Sequence, residues 1–160
     1  MGSVFLLFVC AAVGTFCGYL ILLSYKRNYL YLDGVCAVIS ALKQNLAYKK
    51  DSVPTVLGGL NIGSAQLKKN IQEYISFASG QSANMEISRA FLPQDTFESV
   101  NELFDSIGGS DESTQGARLD ALLLKFEKLR EAAENKYKGF GGMAVKLGFL
   151  IGLAVGVLAL

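Results

Sequence analysis

The sequence contains no histidine and no tryptophan, and it has only two prolines and three cysteines in 160 residues. Without histidine, the chain lacks the most common general base and metal ligand at neutral pH, which excludes Ser-His, Cys-His and His-ligated metal chemistry. The three cysteines have neither the spacing of a disulfide framework nor that of a zinc site. We therefore expect no metal, no cofactor and a reducing compartment.

Charge is also scarce and nearly balanced. Lysine and arginine number 15 against 14 aspartates and glutamates. Together they make up 18% of the chain, whereas soluble domains average about 25%. A net charge of +1 argues against nucleic acid as a partner, because nucleic-acid binders carry a basic stripe. The low charge instead favours a membrane protein.

Charged residues are missing altogether near the start of the chain. Residues 2–24 carry no charge, and about 20 apolar residues suffice to cross a bilayer as a helix. A cleaved signal peptide is the alternative, but it needs a basic region before its apolar core, and the first basic residue here is Lys26. The sequence therefore predicts a retained transmembrane helix over residues 3–24.

A second apolar stretch lies at the other end of the sequence. Residues 139–160 are interrupted by a single charge, Lys146, whose long side chain can reach toward the lipid headgroups. A buried core helix and an interfacial helix are the alternatives, but an interfacial helix needs a charged face, which residues 147–160 lack. We expect a second transmembrane helix over residues 139–160.

The basic residues nearest the two spans all lie on the side of the segment between them. Lys26 and Arg27 follow the first span, and Lys136 and Lys138 precede the second. Such a bias places the intervening segment in the cytoplasm. Residues 25–138 are therefore predicted to form a cytoplasmic domain.

This intervening segment has the patterns of helices alone. Asp95 and Glu98 have the spacing of a capping box, and no alternating strand pattern is present. Apolar residues recur at helical spacing in six stretches, which are residues 25–50, 54–58, 64–80, 83–92, 95–107 and 110–138. The sequence predicts an all-α fold, with a helical bundle domain between an N-terminal and a C-terminal transmembrane helix.

No residue pattern indicates catalysis. Neighbouring carboxylates such as Asp111 and Glu112 fall at a predicted helix start, where they cap free N–H groups and favour the helix dipole. The adjacent Gly-Gly-Ser could cradle a phosphate, but no strand precedes it and no GK[ST] follows. We expect no catalytic residue, and hence no enzyme.

Glycines recur every four residues in both apolar stretches. Gly14 and Gly18 form one such pair in the first span, and Gly148, Gly152 and Gly156 form a triple in the second. Because glycine has no side chain, this spacing lets helix backbones approach closely in lipid. The spacing leaves open whether the contact is with the other span, a second copy or another protein.

Two motifs in the last third of the sequence resemble those of a known family. Residues 107–111, which include Gly108, Ser110 and Asp111, are followed by Gln115 and resemble the pattern L-G-x-[ST]-D-x-x-x-Q, with isoleucine in place of leucine. Residues 147–153 resemble the span LGFLxGL. On these motifs the chain is similar to the stage III sporulation protein AB family of endospore-forming bacteria.

The resemblance implies a non-enzymatic membrane platform subunit of the channel complex that links mother cell and forespore. The family is similar to the F-like platform proteins of type II secretion, which implies a cytoplasmic domain that docks a secretion-type ATPase. It also implies other stage III channel proteins as partners, with the spans in the mother-cell membrane around the forespore, and it leaves self-association open. The alternative is an F-like adaptor of a pilus or secretion ATPase outside sporulation.

Overall fold

A computed structural model describes residues 2–49, 51–89, 91–107 and 112–158. The structure is 84% helical, and these described residues contain no strand, which confirms the all-α prediction. Its α-helices are α1 (Gly2–Gln44), α2 (Val53–Gly58), α3 (Ala65–Ala78), α4 (Gln94–Ser106), α5 (Glu112–Asn135) and α6 (Gly142–Leu158). A π-helical turn over Asn45–Lys49 extends α1, and another over Lys136–Gly141 joins α5 to α6.

The helices divide into two units. The terminal unit consists of Met1–Tyr29 and Glu131–Leu160, and the central unit of Leu30–Arg130. Helix α1 runs through the boundary at Tyr29 without interruption, because nothing in its sequence breaks it: it contains no proline. The two long apolar helices thus flank a helical part, as predicted.

The central unit has a core of large side chains from each of its helices, including Leu57 of α2. The largest buried ones include Tyr31 and Ile39 of α1, Leu67 of α3, Leu103 and Phe104 of α4, and Leu119 and Phe126 of α5. The hydroxyl of Tyr31 accepts a hydrogen bond from Nδ2 of Asn70 over 3.0 Å, so two buried polar groups satisfy each other. A Cβ on Gly34 would lie 2.7 Å from Cδ2 of Leu67, which shows how closely α1 and α3 pack.

Two predicted helix starts are confirmed. The hydroxyl of Ser64 accepts a hydrogen bond from the backbone N–H of Leu67 over 3.4 Å and so caps α3. Helix α2 carries Pro54 in its first turn. Backbone N–H groups there have no acceptor within the helix, so the missing N–H of proline costs no hydrogen bond. The last turn of α3 does not face the core, since Ala78 is exposed.

The predicted helix over 83–92 is wrong. Residues 81–89 and 91–92 contain no helix. The chain leaves α3 through Gly80, whose φ of 75° lies in the left-handed region. The hydroxyl of Ser82 then donates to the carbonyl of Asn84 over 2.7 Å. Such local bonds from short polar side chains compete with a helix, and the weak apolar periodicity of the segment does not outweigh them.

The capping box predicted from Asp95 and Glu98 is also wrong. Helix α4 begins two residues earlier than that box requires, with Pro93 at the N-cap position and no side-chain cap. The carbonyl of Pro93 accepts from the N–H of Phe97 over 3.0 Å. Asp95 therefore lies inside the first turn, where a carboxylate still favours the helix dipole.

Candidate functional site

The glycines of the terminal unit lie where its two apolar helices meet. A Cβ on Gly14 would lie 2.9 Å from the Cα of Gly152 and would overlap the carbonyl oxygen of Gly148. A Cβ on Gly18 would lie only 2.5 Å from the carbonyl oxygen of Ala144. At these positions backbone touches backbone, so any side chain would push the helices apart.

The close contact between α1 and α6 continues along α6, and the two helices run in opposite directions. A Cβ on Gly152 would lie 2.5 Å from the carbonyl oxygen of Cys10 and 3.0 Å from the Cα of Ala11. One turn further, a Cβ on Gly156 would lie 3.2 Å from the Cα of Leu7. Because falling numbers on α1 meet rising numbers on α6, the pair is antiparallel. The structure thus places all five predicted glycines in contact with the other apolar helix of the same chain.

Both helical stretches of this pair are long and apolar enough to cross a membrane. They run over Phe5–Tyr48 and Thr114–Leu158, and only 11% and 17% of their most apolar windows is buried. Large side chains such as Phe8, Phe16 and Leu150 point away from the helix contact, with 68%, 61% and 57% of their surface exposed. An apolar surface of this extent is unfavourable in water, and helices of this length and composition are suited to contact with lipid.

Basic and aromatic side chains mark one end of the helix pair. Tyr29 and Tyr137 stack with their ring centroids 6.0 Å apart and an angle of 11° between the rings. Lys26 and Lys136 are exposed at the same end, and the ammonium of Lys138 lies 2.5 Å from the carboxylate of Glu134. Tyrosines and lysines in this arrangement are typical of the level at which a bilayer meets water. Sequence analysis missed the tyrosine stack, because the π turn shifts the register of Tyr137.

In the central unit, ion pairs connect α1 and α4 to α5. Asp33 and Arg130 approach to 3.3 Å, Glu102 and Lys125 to 3.9 Å. Lys43 pairs with Asp120. All six side chains are a third or more exposed, and exposed pairs of this kind contribute about 0–1 kcal/mol each. They orient the helices more than they stabilise the core.

The cysteines are free thiols in different surroundings. Cys36 is buried in the central unit, Cys17 is exposed and Cys10 is half-buried. Burial raises the pKa of the Cys36 thiol to about 11, and the nearby Arg130 charge opposes that only in part. At neutral pH this thiol is protonated, which makes it a poor nucleophile and a poor metal ligand.

The family model described as Stage III sporulation protein AB matches residues 1–160. The chain belongs to the stage III sporulation protein AB family. The resemblance noted from the motifs is therefore confirmed, and this member of the family is a stage III sporulation protein. Comparisons with curated proteins and with solved structures give no match.

The family motif over residues 107–115 is described only at its two ends. Gly108, Ser110 and Asp111 lie outside the described residues. Gln115 is half-buried in the first turns of α5. At the other end, the carbonyl of Ile107 accepts a hydrogen bond from the hydroxyl of Tyr74 over 3.4 Å. This bond fixes the end of α4 against α3 in the family member.

Within the described part of the chain, no group of three Cys, Asp or Glu side chains is arranged to hold a metal ion. The buried polar groups of the central unit instead bind one another. Asn70 donates to Tyr31 and its Oδ1 accepts from Gln66 over 3.3 Å. Burial raises the pKa of Tyr31 to about 12, so this hydroxyl stays protonated and serves the packing of α1 against α3.

Proposed function

We propose that this member of the stage III sporulation protein AB family is a non-enzymatic membrane platform subunit of the channel complex between mother cell and forespore. Its two apolar helices would anchor it in the mother-cell membrane around the forespore. Its central unit would lie in the mother-cell cytoplasm and contact other channel proteins and a secretion-type ATPase. Membership of a sporulation family supports the setting, and the terminal unit supports the anchor.

The observation that carries the proposal is the glycine contact between the two apolar helices. Lipid tails are as apolar as the helices themselves, so helices associate in a bilayer only where their backbones or side chains pack well. Gly14 and Gly148 provide such packing within one chain. Two spans of one chain that pack against each other would hold both ends of the central unit at the same membrane, as a platform requires.

The proposed orientation rests on the basic end of the helix pair. Lys26 and Lys136 lie at the ends that lead into the central unit, and basic residues near a span favour the cytoplasmic side. The parts of the two spans farthest from these lysines, which carry no charge, would then lie in the opposite leaflet.

We propose further that the central unit acts by contact and not by catalysis. The sequence offers no histidine, and the buried Cys36 thiol, whose pKa burial raises to about 11, is protonated at neutral pH. Its exposed apolar side chains include Leu124 of α5, 62% exposed, and Tyr48 of the π turn after α1, 87% exposed. Side chains of this kind suit protein partners.

Genetic complementation in a spore-forming host tests the function. Deleting the gene should arrest sporulation around or after engulfment, and the intact gene should restore heat-resistant spores. A gene carrying Gly148→Ile should fail to restore them, because Gly148 touches the backbone of Gly14, whereas Gly142→Ile should succeed, because a Cβ on Gly142 meets nothing within 4 Å. Normal spores from the deletion strain would overturn the proposal.

Thiol labelling tests the topology. Asn84 is exposed in the central unit, so Asn84→Cys in a chain without its native cysteines gives an accessible reporter. We expect a membrane-impermeant thiol reagent to label it only after the cells are permeabilised. Labelling in intact cells would place the central unit outside the cytoplasm. Affinity purification from sporulating membranes, with mass spectrometry of the captured proteins, tests the channel and ATPase partners.

A further inference from the structure

An apolar groove runs along one side of the helix pair in the terminal unit. Its volume is about 530 Å³. One wall runs along α1 from Gly14 to Tyr25, and the other along the opposite helix from Phe140 to Ile151. Each wall covers about three helical turns, or about 16 Å, which is half of a hydrocarbon core roughly 30 Å thick. The groove therefore has the length of one lipid leaflet.

One end of the groove is lined by aromatic rings and followed by basic residues. Tyr25 and Phe140 line that end, and Lys26 follows Tyr25 directly. In a π turn residue i bonds to residue i+5, so Lys136 lies about one turn before Phe140 on the same side of the helix. Both lysines are exposed. The sequence has no aspartate or glutamate in residues 1–32 or 135–160, so no acidic side chain of these stretches opposes them.

We propose that this groove binds one anionic phospholipid, with an acyl chain along the glycine-lined floor and the phosphate beside Lys136 and Lys26. The inference rests on the proposed membrane placement. An apolar groove of one leaflet's length that ends in positive charge matches the two parts of a phospholipid. A spanning partner helix needs a groove through both leaflets, and its apolar surface would not account for the lysines. Tyr25 lies at the level of the glycerol backbone, as interfacial tyrosines do.

The lipid retained by the full-length protein gives the test. The protein is reconstituted in nanodiscs of phosphatidylcholine in which part of the lipid is phosphatidylglycerol, released into detergent, and analysed by native mass spectrometry. We expect one phosphatidylglycerol to be retained per chain in preference to phosphatidylcholine. Lys136→Gln should weaken that retention about fivefold, the effect of one basic residue at an anionic membrane surface.

A lysine on the other side of the same π turn is the matched control. Lys138→Gln removes the same charge, but Lys138 lies away from Phe140 and is already paired with Glu134, so we expect less than a twofold effect. Equal effects of Lys136→Gln and Lys138→Gln would mean that the whole surface attracts lipid without a site, and would overturn the proposal.

A second pair of variants tests the groove itself. Cys17→Phe places a ring in the groove and should abolish retention. Val13→Phe adds the same ring at an exposed position that does not line the groove, and should leave retention unchanged. Efficient disulfide formation between the Cys17 thiols of two chains would show that a second copy occupies the groove, and would also overturn the proposal. Sporulation and lipid retention are scored separately, so a failure of one leaves the other interpretable.

Discussion

The contact at Gly152 gives the most direct test of the helix pair. Replacing Gly152 with isoleucine places a Cβ 2.5 Å from the carbonyl oxygen of Cys10 and 3.0 Å from the Cα of Ala11. Carbon atoms in good contact lie about 3.5–4.0 Å apart, so the two backbones must separate by roughly 1 Å at this point. The neighbours are backbone atoms, which cannot rotate out of the way.

The size of the effect follows from that separation. A gap of about 1 Å forfeits up to about half of the dispersion energy of each contact it opens, and overpacked sites in proteins lose about 1–3 kcal/mol. In a bilayer no hydrophobic gain offsets the loss, because lipid covers the separated helices equally well. We expect Gly152→Ile to shift the equilibrium between paired and separated helices about 5- to 150-fold.

A disulfide across the contact provides the assay. A Cβ on Gly156 lies 3.4 Å from the Cβ of Cys10, close to the spacing of about 3.5–4.5 Å found in disulfides. Gly156→Cys, in a chain whose Cys17 and Cys36 are serine, should therefore form a bond with Cys10 on mild oxidation. A protease site inserted at Asn84 then separates the two halves of the chain, and only a disulfide keeps them together on a non-reducing gel.

Adding Gly152→Ile to this reporter chain should slow disulfide formation at least fivefold. Gly142→Ile is the control in the same helix: a Cβ there meets nothing within 4 Å, so the rate should not change. Unchanged oxidation with Gly152→Ile would refute the close approach of α1 and α6. Equal slowing by both variants would point to a general effect of isoleucine on helix α6.

Three further predictions concern the central unit and are measured by denaturant unfolding of the full chain in micelles. Burial raises the pKa of Cys36 from 9.0 to about 11 and that of Tyr31 from 10.0 to about 12. The contribution of these two groups to the unfolding free energy is thus complete below pH 9 and should be lost between pH 9 and 12. Combining Cys36→Ala with Tyr31→Phe should flatten that decline, and an unchanged slope in the double variant would contradict the assignment. At neutral pH, Tyr31→Phe alone should lower the unfolding free energy by about 1–3 kcal/mol, because Asn70 loses the acceptor for a buried N–H; no change would mean that another acceptor replaces it. Ser64→Ala should lower it by about 1 kcal/mol through loss of the cap of α3, whereas Ser52→Ala should not, since Ser52 makes no cap bond; equal losses would refute a capping role.

The sequence was most informative where one physical cause dominates. Residues 3–24 and 139–160 could be assigned to long apolar helices because charge is nearly absent from them, and the glycine spacing identified the face on which α6 makes contact. The partner of that face was not predictable, because any closely packed helix satisfies a glycine every fourth residue. The three-dimensional structure was needed to place Gly152 against Cys10.

The errors fall where local bonds decide between close alternatives. Around Asp95, two possible helix starts lie two residues apart, and the hydrogen bond from the N–H of Phe97 to the carbonyl of Pro93 belongs to the earlier one. After Gly80, serine and asparagine bond to the local backbone and prevent a helix. The groove beside Gly14 could not be predicted from the sequence, because it depends on how α1 and α6 align. That alignment is affected by the π turn before α6, for which the sequence has no recognisable pattern.

The two units therefore depend on opposite properties of their side chains. The central unit is stabilised by volume, so that removing the ring of Phe126, which has no exposed surface, should cost about 3–5 kcal/mol. The terminal unit is stabilised by the lack of side chains at Gly14, Gly18, Gly148 and Gly152, where even one added carbon would overlap the opposite backbone. Substitutions that enlarge these four glycines should thus act on the proposed anchor while leaving the central fold intact. Substitutions that shrink them should act on the central fold and leave the anchor paired, which allows the roles of anchoring and partner contact to be separated in one chain.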